Sequence, residues 1–403
     1  MARKPENAMK LMETVWPAAI ARVAEEVADM QAIADKEAAA GGRKIAIEPW
    51  DYRYYAEKVR IARYNLDTDE VKQYLQLENL REGMFWVAGE LFDFSFTPVK
   101  GLPVPHPDVR VWRVDRKSNS KPVGLWYFDP YARAGKRSGA WMNEYRALRR
   151  IDGEVLPIVS NNSNFVEGAA GAPVLISWDD AETLFHEFGH ALHGLNSNVT
   201  YASLAGTNVA RDYVEFPSQL LEHWLPTPEV LSRYARHVKT NQPMPKALVE
   251  RIEAAAKFNQ GFVTTEYLAA ALVDMKLHLA GDATIDPDAF ERDTLKELRM
   301  PKEVVMRHRT PQFAHIFSGD GYSAGYYSYL WADTLTADAA EAFEQAPGGF
   351  YDKGVARRLY ENIFASGDTM DQAEAFRRFR GRDVDTTALM RDRGFPVPTA
   401  SAQ

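Results

Sequence analysis

The run AETLFHEFGHALHGL, residues 181–195, constrains this chain more than any other segment, because its histidines can act together only on a helix. His186 and His190 stand four residues apart, and helical residues at that spacing share a face with Cβ atoms roughly 5–6 Å apart. Both imidazoles then reach one metal ion at about 2.0–2.1 Å. Glu187 sits beside the pair, placed to take a proton from a water molecule in the same site. Asp179 and Asp180 supply a helix start, Leu184, Phe185, Phe188, Ala191 and Leu192 an apolar face, and Gly194 an ending. The pattern points to metallopeptidase chemistry.

Cysteine is absent from the 403 residues, which excludes disulfides, a thiol nucleophile and thiolate ligands. Histidine and carboxylates are then the strong zinc-binding side chains that remain. An apolar fraction of 46% and a charged fraction of 26% are those of a globular chain, and a net charge of −8 offers nucleic acid no general attraction. The opening MARKPENAMKLMETVW lacks the apolar core of a secretory signal, and no apolar run of membrane-spanning length follows. The expectation is a soluble, cytoplasmic chain with neither nucleic-acid nor membrane partners.

Hydrophobic periodicity divides the chain into three regions. Residues 1–105 read as helical, with Val15, Ala19, Val23, Val27 and Met30 at helical spacing and further helices over 50–64 and 69–91. Residues 106–178, after the proline-rich GLPVPHPDV, read as a small sheet with strands VRVWRV, VGLWYFDPY, VLPIVSNNSNF and APVLISW. Residues 179–403 return to helices, including 214–224, 246–280, 322–343 and 354–364, and end in a tail, FPVPTASAQ, expected to fray. The fold class is mainly α, with a small β-sheet beside the helix that carries HEFGH.

Catalytic zinc commonly takes three protein ligands and a water, so a third donor is required. Glu215, in RDYVEFPSQLLEHW, is preferred; Asp212 and Glu222 compete on chemistry, and spacing does not decide among them. Metal-binding imidazoles are usually oriented through their second ring nitrogen. Glu182, four residues before His186, is a candidate for that task with Asp212 and Glu222; a surface salt bridge is the competing reading for each. His193 is read as a local hydrogen-bonding residue rather than a ligand. In FAHIFSGDGYSAGYYSYLW, residues 313–331, His315 precedes a glycine-rich stretch followed by Tyr322, Tyr326, Tyr327 and Tyr329. Tyr322 and Tyr329 share a face if the segment is helical, and their hydroxyls could donate to an oxyanion; an aromatic packing stripe is the competing reading.

LFHEFGHALHGL and DYVEFPSQLLEHW together resemble the thimet oligopeptidase family of zinc metallopeptidases, which includes bacterial peptidyl-dipeptidases and oligopeptidase A. The resemblance implies a zincin-like catalytic portion, one zinc ion per chain held by His186, His190 and Glu215, Glu187 as general base, and short peptides as substrates. It implies that 313–331 is a mobile substrate loop in which His315, Tyr322 and Tyr329 bind substrate or stabilise the transition state, with Tyr326 a further contact. HIFSGDGYSAGYYSYLW is closer to the peptidyl-dipeptidase branch (dipeptidyl carboxypeptidases) than to the thimet branch, which implies release of C-terminal dipeptides, with internal cleavage as the alternative. The resemblance runs from PENAMKLMETVW to FRGRDVDTTALMRDRGF. The family's additional N-terminal helical region has no counterpart here. The expectation is therefore a short product or fragment, with inactive zinc binding in the absence of a separate N-terminal half as a further alternative.

Overall fold

The computed structural model describes residues 1–169 and 171–397, so the tail from 398 onward lies outside the described residues. The chain forms two compact units, one from Met1–Asp67, Ala254–Thr334 and the residues from Thr386, the other from Thr68–Glu253 and Leu335–Asp385. The fold is mainly helical, with one five-stranded sheet.

In the first unit, the helix Pro5–Ala39 buries Val15, Ala19, Val23 and Met30, the spacing that predicts it. It packs against the helices Pro49–Tyr64 and Gln260–Leu279. A Cβ on Gly261 would lie 2.6 Å from the Val23 nitrogen, so glycine is what lets the two long helices touch. Glu26 completes the joint: its carboxylate accepts from the backbone N–H groups of Gly261 and Phe262 at 2.8 and 2.9 Å. Those groups would otherwise be left open at a helix start, because Asn259 provides no side-chain cap. Asn259 is left-handed at φ 62°, and the single helix expected over 246–280 is accordingly two, Lys246–Ala255 and Gln260–Leu279.

The second unit holds the sheet: β1 (Phe94–Val99), β2 (Arg110–Arg116), β3 (Pro122–Tyr131), β4 (Trp141–Arg146) and β5 (Ile158–Phe165). The order is β1-β2-β3-β5-β4, antiparallel except for the parallel β3–β5 pair. Two edge strands escape the sequence reading. β1 contains Pro98, tolerated at a sheet edge, and WMNEYR in β4 lacks an apolar alternation. APVLISW is corrected in the other direction: it makes one bridge, Leu175 to Gln76, and is no strand of the sheet. The helix expected over 69–91 is likewise two, Thr68–Lys72 and Leu77–Phe92, and the bridge occupies the break between them.

An aromatic cluster joins the sheet to the helix Trp178–Asn196. Phe188 meets Trp126 of β3 edge-on at 5.5 Å, and Phe85 of the helix Leu77–Phe92 meets the same indole at 5.3 Å. Trp126 and Phe188 are fully buried. Truncating such a side chain to alanine typically costs about 3–5 kcal/mol, so this cluster fixes where the HEFGH helix lies on the sheet.

Candidate metal centre

The helix Trp178–Asn196 begins with a reciprocal cap: Ser177 Oγ accepts from the Asp180 N–H at 3.0 Å, and Asp180 Oδ2 accepts from the Ser177 N–H at 3.1 Å. Leu184, Phe185, Phe188, Ala191 and Leu192 are all buried, as their spacing predicts. Gly194, read as an ending, lies inside the helix, which runs on to Asn196, and a Cβ there would stand 3.0 and 3.2 Å from the Val159 and Met142 side chains of β5 and β4, a close approach that glycine relieves. Asn161 of β5 donates its side-chain N–H to the Glu187 carbonyl while its oxygen accepts from the Trp126 indole at 2.7 Å. The sheet thereby grips the helix at the residue between the two histidines. The sequence signal for this contact is SNNS within β5, four polar residues that are all buried.

Glu215 does not sit in one continuous helix over 214–224. It joins two short ones, Arg211–Val214 and Phe216–Glu222, because Pro217 has no N–H to bond the carbonyl four residues back. The segment lies directly on the HEFGH helix: a Cβ on Gly189 would stand 2.6 Å from Ser218 Cα and 2.8 Å from the Pro217 carbonyl oxygen. This contact carries Glu215 to the histidines. Its Oε2 is 3.3 Å from His186 Nε2 and 3.0 Å from His190 Nε2, and one donor atom from each of the three residues lies within 4.8 Å of the others.

Two imidazoles and one carboxylate, with no thiolate, make a donor set suited to a hydrolytic zinc ion. Glu222 supplies the outer partner: its Oε1 is 2.6 Å from His186 Nδ1, which leaves Nε2 to face Glu215. Burial alone would lower the His186 pKa, but Glu215 and Glu222 outweigh it and raise it well above the ordinary value. Burial alone would raise the Glu215 pKa, but His190 and His186 hold it well below the carboxylate range.

Glu187 is 6% exposed, and its Oε2 has no hydrogen-bond partner among the described residues. Burial raises its pKa, opposed by the charges of His186 and His190. Of the three residues read as orienting groups, Glu222 meets His186. Glu182 instead accepts from the Trp178 indole at 2.7 Å, and burial pushes its carboxyl up to about 8. Asp212 is buried on the short helix before Glu215. His193 departs from its reading as a hydrogen-bonding residue. It is fully buried, neither ring nitrogen meets a partner among the described residues, and burial depresses its pKa to about 3. Its neutral ring packs edge-on to Phe364 at 5.9 Å.

The tyrosine segment belongs to the first unit. The helix expected from 322 begins at Ser328, so Tyr322 lies in the preceding turns and Tyr329 in the helix. The two rings nevertheless stack, 5.8 Å apart and 4° from parallel. His315 lies 4.6 Å from the Tyr322 ring, and its Nε2 is 3.0 Å from the Tyr329 hydroxyl. Tyr326 is 4% exposed, packed edge-on against Phe313 and near His315.

The family model of peptidase family M3 matches residues 1–395. The chain is 40% identical over 401 residues to the dipeptidyl carboxypeptidase of Escherichia coli (strain K12), covering 98% of this chain and 58% of that protein. It is 33% identical over 403 residues to oligopeptidase A of the same organism, again covering 98% of this chain and 58% of the relative. The chain thus spans little more than half the length of these relatives. A Pyrococcus furiosus carboxypeptidase structure matches with a TM-score of 0.50 and 13% identity over 96% of this chain and 65% of that one, a likeness of fold.

Proposed function

The chain belongs to peptidase family M3, and from that premise we propose that it is a zinc metallopeptidase that hydrolyses short peptides and releases C-terminal dipeptides. The observation that carries the reading is the convergence of His186, His190 and Glu215 within 4.8 Å beside Glu187, which is buried and whose Oε2 has no partner among the described residues. When bound there, zinc supplies Lewis acidity toward a peptide carbonyl and acidifies a water molecule to a pKa of about 7.

The chain's own groups do the rest. Glu222 fixes the His186 ring so that Nε2 points inward. Glu187 takes the proton of the attacking water at its free Oε2 and passes it to the leaving amine, and its raised pKa suits both halves of that transfer. The family resemblance makes His315, Tyr322 and Tyr329 the substrate-binding groups, and their mutual contacts within the first unit, with the buried Tyr326 ring beside them, support reading them as one cluster.

Dipeptide release is favoured by the higher identity to the dipeptidyl carboxypeptidase, and internal cleavage is the second reading, favoured by the similarity to oligopeptidase A. Incubation of the purified chain with an N-blocked decapeptide, followed by mass spectrometry, separates them. Successive losses of two C-terminal residues support the first, and scattered internal cuts the second. Stoichiometric zinc without any cleavage, relieved only by a second polypeptide, overturns the proposal that this chain suffices.

A further inference from the structure

The helix Gln260–Leu279 presents a polar stripe that the metal site does not use. Tyr267 and Asp274 are seven residues apart, with His278 one turn further, and Tyr267 and Asp274 are buried. All three lie in the unit that holds the tyrosine segment. Asp274 accepts two backbone N–H groups of that segment, from Ala324 at 3.0 Å through Oδ1 and from Tyr326 at 2.9 Å through Oδ2. Tyr267 donates its hydroxyl to the Tyr326 carbonyl at 2.5 Å and accepts from the Leu330 N–H at 3.1 Å. Both polar groups of the Tyr326 backbone are therefore taken by side chains of one helix.

This grip falls where the backbone most needs it. Gly319, Gly321 and Gly325 loosen the segment, and Ala324 adopts the left-handed region at φ 54°, which a Cβ disfavours. A buried carboxylate accepting from the Ala324 N–H offsets that cost. Asp274 is itself steadied by His278, whose Nδ1 lies 3.0 Å from Oδ1 and 2.9 Å from the Asp274 carbonyl. Two acceptors at one nitrogen require Nδ1 to carry the proton.

We propose that Tyr267 and Asp274 are positioning residues that clamp the Tyr326 backbone and thereby hold His315, Tyr322 and Tyr329 in the geometry that acts on substrate. The inference rests on the substrate-side role given to those three residues above. As positioning residues, Tyr267 and Asp274 act through the tyrosine segment.

The test uses the full chain with Tyr267→Phe, which removes one hydroxyl and little volume, and Asp274→Asn, which removes one of two acceptors. Hydrogen exchange over 318–330 should accelerate about tenfold or more in each, while exchange over 181–195 is unchanged. Unchanged exchange over 318–330 in both variants overturns the clamp, whatever the activity. With the zinc-loaded chain and a peptide substrate, kcat should fall roughly tenfold to a hundredfold with KM nearly constant. The same loss should largely vanish when Tyr267→Phe is made in a Tyr329→Phe background, because both changes disable one group. Fully additive losses overturn the proposal. Faster exchange together with normal turnover in both Tyr267→Phe and Tyr329→Phe overturns instead the substrate-side role of the cluster and leaves the clamp standing.

Discussion

Glu222 Oε1 stands 2.6 Å from His186 Nδ1, and this one contact decides which imidazole nitrogen is left for a metal. A carboxylate accepts but cannot donate, so Nδ1 holds its proton on Glu222 and Nε2, which faces Glu215, is the nitrogen left to a metal. Glu222→Ala should lower zinc affinity about 10–100-fold, the usual cost of losing such a partner. Competition with a chelator of known affinity measures it. Glu222→Gln, whose amide oxygen still accepts, should lose less, and an equal loss in both would show that charge rather than orientation matters.

In the proposed mechanism Glu187 separates binding from chemistry. It is placed beside the ligands without belonging to the convergent group of three. Glu187→Gln should therefore retain one equivalent of zinc and lose turnover by about 10²–10⁴-fold, the range for removing a general base. Zinc content by atomic absorption, with peptide hydrolysis on the same sample, tests it. Near-normal hydrolysis would remove Glu187 from the mechanism.

Gly189 tests the joint between the two segments that carry the proposed ligands. A methyl there would meet Ser218 Cα and the Pro217 carbonyl, which are backbone and cannot swing aside. Gly189→Ala should destabilise the fold by about 1–3 kcal/mol, as overpacking does. It should also weaken zinc binding more than an equally destabilising change distant from this joint, because Glu215 travels with Ser218. Thermal unfolding and chelator competition, read together, distinguish the two effects.

The two histidines and Glu187 were legible because helical spacing alone places them together. Spacing leaves Glu215 as one of three carboxylates, and only the family resemblance singles it out, since its approach depends on Gly189 meeting Ser218, a contact between segments that no local pattern encodes. The same limit hid Asn161 beneath Glu187 and Asp274 beneath Ala324: in each case the partner is distant in sequence. The edges of the sheet are hard to read from sequence for a different reason. APVLISW has strand-like composition but pairs with the chain just before the helix Leu77–Phe92, whereas WMNEYR has edge-strand polarity and pairs with β5. Asn259 breaks the stretch expected as one helix by turning left-handed directly before Gln260–Leu279, a conformation asparagine permits without requiring.

Glu144, on β4, gives the second unit a pH dependence whose sign follows from its surroundings. Its Oε1 is buried with no hydrogen-bond partner among the described residues, and burial alone raises its pKa from 4.5 to about 7. Below pH 4.5 the carboxyl is protonated in both the folded and unfolded chain and carries no penalty. Between 4.5 and 7 the unfolded chain has released the proton that the folded chain still holds, so stability falls as pH rises; above 7 the loss is complete and constant. At about 1.36 kcal/mol per pKa unit, the ceiling is about 3 kcal/mol. Glu144→Gln removes the ionisation, so its unfolding midpoint should exceed that of the wild type by roughly 5 °C at pH 8 and by little at pH 5. Midpoints measured by circular dichroism at the two pH values test this. Equal midpoints at pH 8 would mean that the Glu144 charge is solvated in the folded chain and that the orphaned oxygen costs nothing.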